Sequence, residues 1–139
     1  MNVLFVCTGN TCRSSMAAVV AQALYPDWEV DSAGTGAWPA PMARNAELAL
    51  EDTGYDPGEH VAKPLDKALL AWADLVIAMG DAHKRAVLAM DPEARVVTLK
   101  EAAGRSGDLP DPFGADLTVY KQTLNEIEAL IKEMKAWDR

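Results

Sequence analysis

The sequence predicts an α/β fold: a single-domain, three-layer sandwich in which a four-stranded parallel sheet carries helices on both faces. Three observations carry that prediction. Short apolar segments alternate with segments of helical period, the mark of parallel strands joined by crossover helices. The segments at 3–6 and 75–79 are unbroken apolar runs, as strands buried on both faces require. The length of 139 residues suits one core of ordinary size, so the span 1–139 reads as one domain.

Taken in order, residues 3–6 form the first strand. After Ser14, the residues Met16, Val19, Val20, Ala23 and Leu24 recur at helical spacing until Pro26 ends the run. Residues 28–30 form a short second strand. A helix over 43–53 is stopped by Gly54, and a shorter one is expected over 65–72. The third strand (75–79) leads into a helix over 81–90, and 96–99 is the last strand. Leu117, Tyr120, Leu124, Ile127, Ile131 and Met134 step by three and four, which gives one apolar stripe along a final helix. Ligands of parallel sheets sit beyond the carboxyl ends of the strands, so chemistry is expected in the loops 7–14, 31–42 and 100–116.

Composition narrows the partners. With 13 basic and 21 acidic residues the net charge is −8, which argues against nucleic acid and against anionic membrane surfaces. No apolar run approaches the roughly 20 residues of a spanning helix. The N-terminus lacks the basic flank and cleavage site of a signal peptide, and two cysteines five positions apart make no disulfide scaffold. The expected compartment is the cytoplasm.

The string Cys7-Thr8-Gly9-Asn10-Thr11-Cys12-Arg13-Ser14 joins a buried strand to an amphipathic helix. Gly9 and Asn10 tolerate left-handed backbone angles, so the chain can coil and turn its amides inward. Inward amides plus a helix N-terminus make an anion cradle, and the Arg13 fork fits two oxygens of a phosphate. A thiol at the floor of such a phosphate-binding loop feels the same positive field, which favours thiolate. Cys7 is thereby placed as a nucleophile facing a bound phosphoryl group. The plain alternative makes Cys7 a small buried apolar residue and Arg13 a solvated cap. No G-x-x-x-x-G-K-[ST] loop is present, and Gly34-Thr35-Gly36 lacks the third glycine of a dinucleotide fingerprint.

The opening VLFVCTGNTCRSSMA resembles the signature loop of the low-molecular-weight protein-tyrosine-phosphatase family. The resemblance continues as DSAG at 31–34, DLVIAM at 74–79 and DPFG at 111–114, and covers nearly the whole chain. Within the family, Thr11 together with TLKE at 98–101 and DPFG most resembles the bacterial protein-arginine-phosphatase branch. Phosphotyrosine-directed members usually carry an aliphatic residue at the position of Thr11.

The resemblance implies that Cys7 attacks phosphorus to give a phosphocysteine. Arg13 would hold the equatorial oxygens beside the amides of Thr8, Gly9, Asn10, Thr11 and Cys12. Ser14 would donate to the thiolate, though an ordinary helix N-cap is its other reading. Asn10, Ser14, Ser32 and His60 match the residues that brace the loop; for His60, a satisfied loop histidine is the alternative. Asp111 would be the general acid, on a loop able to close over substrate. Asp108 is its neighbour and rival, and without the resemblance either reads as a turn residue. Phe113 and Trp38 would wall the pocket, or simply pack. Cys12 would form a reversible disulfide with Cys7, or serve as a buried support. The family's Arg-Ser-Pro is Arg13-Ser14-Ser15 here, and 35–42 is shorter than in many tyrosine-directed relatives.

No metal or other cofactor is expected: His60 and His83 lie far apart in sequence, and His83 reads as a surface residue of its helix. The expected partners are phosphorylated proteins, and the expected state is a monomer. Phosphoarginine is the leading substrate and phosphotyrosine the runner-up. A phosphocysteine carrier would have no need of an acid such as Asp111. A thiol-relay arsenate reductase needs further cysteines, and none follows Cys12.

Overall fold

A computed structural model describes residues 1–134; the last five residues of the expected domain lie outside the described residues. The elements run β1 (Asn2–Cys7), α1 (Arg13–Leu24), β2 (Glu29–Gly34), α2 (Arg44–Asp52), α3 (Lys67–Trp72), β3 (Leu75–Ala78), α4 (Asp81–Met90), β4 (Val96–Thr98), α5 (Leu99–Ala102) and α6 (Leu117–Glu133). The four strands are parallel in the order β2-β1-β3-β4. The chain leaves β1 for one edge and returns on its other side, so the order reverses between β1 and β3. A crevice opens there beyond the strand ends.

Side chains of β1 alternate between two cores. Val3, Phe5 and Cys7 pack with Met16, Val20, Leu124 and Ile127 of α1 and α6. Leu4 and Val6 pack with Leu70 of α3, Val76 of β3 and Val87 of α4. Val3 to Val6 are all fully buried, which is why the strand reads as a continuous apolar run. The predicted stripe of α6 buries Tyr120, Leu124, Ile127 and Ile131, and the Asp116 side chain caps the helix by accepting from Val119 N at 3.1 Å. Among the described residues no helix is long and apolar enough to cross a membrane.

Two differences from expectation go beyond a residue or two at an element's end. The second strand runs on to Gly34, pairing Asp31, Ser32, Ala33 and Gly34 with Leu4, Phe5, Val6 and Cys7. Those residues have poor strand propensity, and it is the ladder to β1 that holds them extended. The loop 100–116 begins with a short helix, α5. Its capping box is written in the sequence: Thr98 Oγ1 accepts from Glu101 N at 3.1 Å, and Glu101 accepts back from Thr98 N at 2.8 Å.

Candidate active site

Cys7 ends β1, and the chain then coils through residues 8–12 before α1 begins at Arg13. The left-handed residue of this coil is Asn10 (φ 58°), not Gly9. Asn10 is fully buried, and its short amide compensates the backbone strain with hydrogen bonds. Its Nδ2 donates to Ser14 Oγ at 2.8 Å, and its Oδ1 accepts from Lys63 N at 3.1 Å. His60 Nε2 reaches Asn10 O at 2.6 Å. The loop is therefore braced from behind by the 60–63 segment.

Donors converge on the sulfur. Asn10 N donates to Cys7 Sγ at 3.3 Å, and Ser14 Oγ lies 2.9 Å from it. Because Ser14 Oγ already accepts from Asn10 Nδ2, its own hydrogen is free for Sγ. Two donors converging on one buried sulfur make it a hydrogen-bond acceptor at the base of the cleft. The N-cap of α1 is Cys12 rather than Ser14, so the hydroxyl of Ser14 serves Cys7 instead of the helix.

The cleft above Cys7 holds about 250 Å³ and is lined by Thr8, Gly9, Asn10, Thr11, Cys12, Arg13, Asp111 and Phe113. Arg13 is buried; Nη1 donates to Leu109 O at 3.0 Å and Nη2 stands 3.5 Å from Asp111 Oδ2. Its Nε is buried with no partner among the described residues, a donor of the kind a phosphate oxygen would take. Asp111 is half exposed at the rim, where its Oδ1 accepts from Phe113 N at 3.1 Å. Asp108 is occupied elsewhere: its Oδ1 accepts from Asp81 N at 2.9 Å, over the N-terminus of α4.

The Cys12 thiol is buried against Tyr120 Oη at 3.2 Å, and burial pushes its pKa up. Burial likewise pushes the Tyr120 phenol up. Ser32 is buried on β2 opposite Phe5, beside the groove shared with His60 and Ser15; the hydrogen bonds reaching the loop from this side come from His60 and Lys63.

Two expectations need correction. Trp38 does not wall the cleft: it is 81 % exposed at the apex of the 35–42 segment. The chain is tied down on either side of Trp38, at Gly36 N to Thr8 O, at Ala40 O to Ala62 N and at Ala43 N to Thr11 O. His83 is not a surface residue: it is buried, with Nε2 2.8 Å from Thr8 Oγ1. Nothing local in the sequence signals this, because the contact joins residues 75 positions apart across the β1/β3 crevice. Among the described residues no three His, Cys, Asp or Glu side chains gather as a metal-ligand set.

Comparison with known proteins agrees with this fold. The chain is 39 % identical over 137 residues to a protein-arginine-phosphatase of Geobacillus stearothermophilus, covering 95 % of this chain and 92 % of the relative. A solved low molecular weight protein tyrosine phosphatase of T. tengcongensis superposes with a TM-score of 0.91 at 43 % identity, covering 96 % of each chain. A YwlE arginine phosphatase mutant with a phosphorylated active-site serine gives a TM-score of 0.91 at 38 % identity, over 96 % of this chain and 92 % of that one. The model of the low molecular weight phosphotyrosine protein phosphatases matches residues 2–137, and to that family the chain belongs.

Proposed function

We propose that this cysteine-dependent phosphatase hydrolyses phosphoarginine in proteins. The observation that carries the chemistry is the convergence of Ser14 Oγ and Asn10 N on Cys7 Sγ beneath a cleft whose rim holds Arg13 and Asp111. Cys7 Sγ attacks phosphorus and the phosphorus–nitrogen bond to the guanidinium breaks. The Asp111 carboxyl gives its proton to the leaving nitrogen. Arg13 and the amides of residues 8–13 stabilise the charge on the three equatorial oxygens. Asp111, now a carboxylate, takes a proton from water, which attacks phosphorus, releases phosphate and returns Cys7 as thiolate.

Thr11 at the cleft and the protein-arginine-phosphatases among the relatives support phosphoarginine. Phosphotyrosine is the second reading, favoured by the exposed Phe113 ring at the cleft and by relatives named as tyrosine phosphatases. We assign Ser32 and His60 to supporting the loop. Under peroxide, a Cys7 sulfenic acid would condense with the Cys12 thiol, losing water to form a disulfide. Phosphorylated proteins in the cytoplasm are the partners, met by a monomer.

The test is parallel turnover of phosphoarginine and phosphotyrosine peptides by wild type and Cys7→Ser. Hydrolysis of the phosphoarginine peptide with the higher kcat/KM, absent in Cys7→Ser, is expected. A preference for phosphotyrosine overturns the substrate reading, and full activity in Cys7→Ser overturns the mechanism.

A further inference from the structure

His83 sits in the first turn of α4, which follows β3 across the crevice from Cys7. Only 8 % of its surface is exposed. Its Nε2 lies 2.8 Å from Thr8 Oγ1, while Nδ1 is buried with no partner among the described residues. A buried orphan N–H is rarer than a buried orphan lone pair, so the tautomer with hydrogen on Nε2 is favoured. In that form His83 donates to Thr8 Oγ1. Burial, reinforced by the facing Arg13 guanidinium, keeps the imidazole neutral, against the opposite pull of Asp108 and Asp111. The ring therefore acts here as a directed donor rather than as a cation.

Both partners of this bond are held firmly. Thr8 O accepts from Gly36 N at 3.0 Å, which fixes the residue from the β2 side. His83 holds it from the β3 side. The start of α4 is gripped in turn by Asp108, which accepts from Asp81 N, and Lys84 pairs with Glu101 of α5 at 3.0 Å. Leu109, next to Asp108, donates to Met79 O and accepts from Arg13. The bond thus ties the residue next to the nucleophile to the frame that carries Asp111.

We propose that His83 is a positioning residue of the phosphatase site, holding Thr8 so that the first peptide of the phosphate loop keeps its inward set. This rests on the reading of Cys7 as the nucleophile, but not on which phosphoamino acid is the substrate. An aryl phosphate therefore serves as the probe, with inorganic phosphate as competitive inhibitor.

The experiment compares His83→Leu, His83→Gln, Thr8→Val and the double variant His83→Leu/Thr8→Val, each checked by thermal melting. Loss of one neutral hydrogen bond should lower kcat/KM by roughly five- to tenfold in His83→Leu, with a parallel weakening of phosphate inhibition. His83→Gln, whose amide nitrogen reaches the same place as Nε2, should recover most of the loss. Thr8→Val should match His83→Leu, and the double variant should be no worse than either. Wild-type rates in His83→Leu overturn the proposal. So does an additive loss in the double variant, which would mean that His83 acts on something other than Thr8. If His83→Leu fails to fold, Thr8→Val leaves α4 intact, and full activity there is equally fatal. A wild-type enzyme inactive on every phosphate ester would instead overturn the reading of Cys7.

Discussion

Arg13 Nη2 stands 3.5 Å from Asp111 Oδ2, so the cation of the loop and the acid at the rim share an edge of the same cleft. Asp108, three residues earlier, is turned to the N-terminus of α4. That difference in direction, invisible in the string DLPDPFG, favours Asp111 over Asp108 as the proposed general acid.

Asp111→Asn should therefore slow hydrolysis of substrates with basic leaving groups by ~10²-fold or more, the usual cost of losing a general acid. Activated aryl phosphates, whose leaving groups depart with little protonation, should lose far less. Asp108→Asn keeps an acceptor for Asp81 N and should leave both rates near wild type. Single-turnover and steady-state rates on the two substrate types check this. A larger effect from Asp108→Asn would reassign the acid.

Gly34 offers a steric test of the loop's support. A Cβ there would lie 2.3 Å from Thr8 O and 2.8 Å from Ala37 Cβ, so Gly34→Ala forces backbone apart directly beside Cys7. Overpacking of this kind costs about 1–3 kcal/mol, and the strain falls on the loop itself. Gly36→Ala is the control, since its Cβ would meet only Thr8 Cγ2 at 3.8 Å. Denaturant unfolding and phosphate affinity should show the first variant impaired in both and the second in neither.

These contacts show what the sequence carries and what it does not. Val3 to Val6 and the period of α1 are local signals, and with turn residues between them they place Cys7 and Arg13 at the head of a cradle. The stripe of α6 is equally local. By contrast, Asp31 and Ser32 are strand residues only because β1 pairs with them. The contact of His83 with Thr8 depends on α4 landing beside the loop, which no spacing along the chain encodes. Trp38 illustrates the converse, an aromatic near a site in sequence whose segment is pinned on both sides and points it outward. The T-x-x-E pattern at 98–101 is a local helix-start signal too, yet 100–116 is expected as a loop throughout, and α5 occupies its start.

The buried His83 also gives a pH signature in stability. Its folded pKa lies below the ordinary value of 6.5, so between the two values the unfolded chain binds more protons. Stability from this group is therefore full above 6.5 and falls as the pH drops through the window below it. Arg13 reinforces that loss by repelling a charged ring, while Asp108 and Asp111 soften it. Melting temperatures of wild type and His83→Gln from about pH 7.5 to about pH 5.5 should diverge, with wild type falling more steeply. Identical slopes would mean that His83 protonates as easily in the fold as in the open chain.

Substrate choice turns on Thr11, which lines the cleft with its Oγ1 beside Cys12 Sγ at 3.7 Å. A contact of that length to sulfur is weak, so the hydroxyl remains available to a substrate. The guanidinium of phosphoarginine is thin, planar and polar, and a hydroxyl can hydrogen-bond it without filling its space. A phosphotyrosine ring gains instead from a branched aliphatic wall. Thr11→Ile removes the polar contact and adds the apolar one, and both effects push selectivity toward the ring. One hydrogen bond and one methylene-scale contact are each worth about 1 kcal/mol, so the ratio of kcat/KM should shift by ~10–100-fold. The measurement is kcat/KM for both phosphopeptides in wild type and Thr11→Ile. An unchanged ratio would show that Thr11 does not read the group bearing the phosphate, and phosphoarginine would lose the structural half of its support.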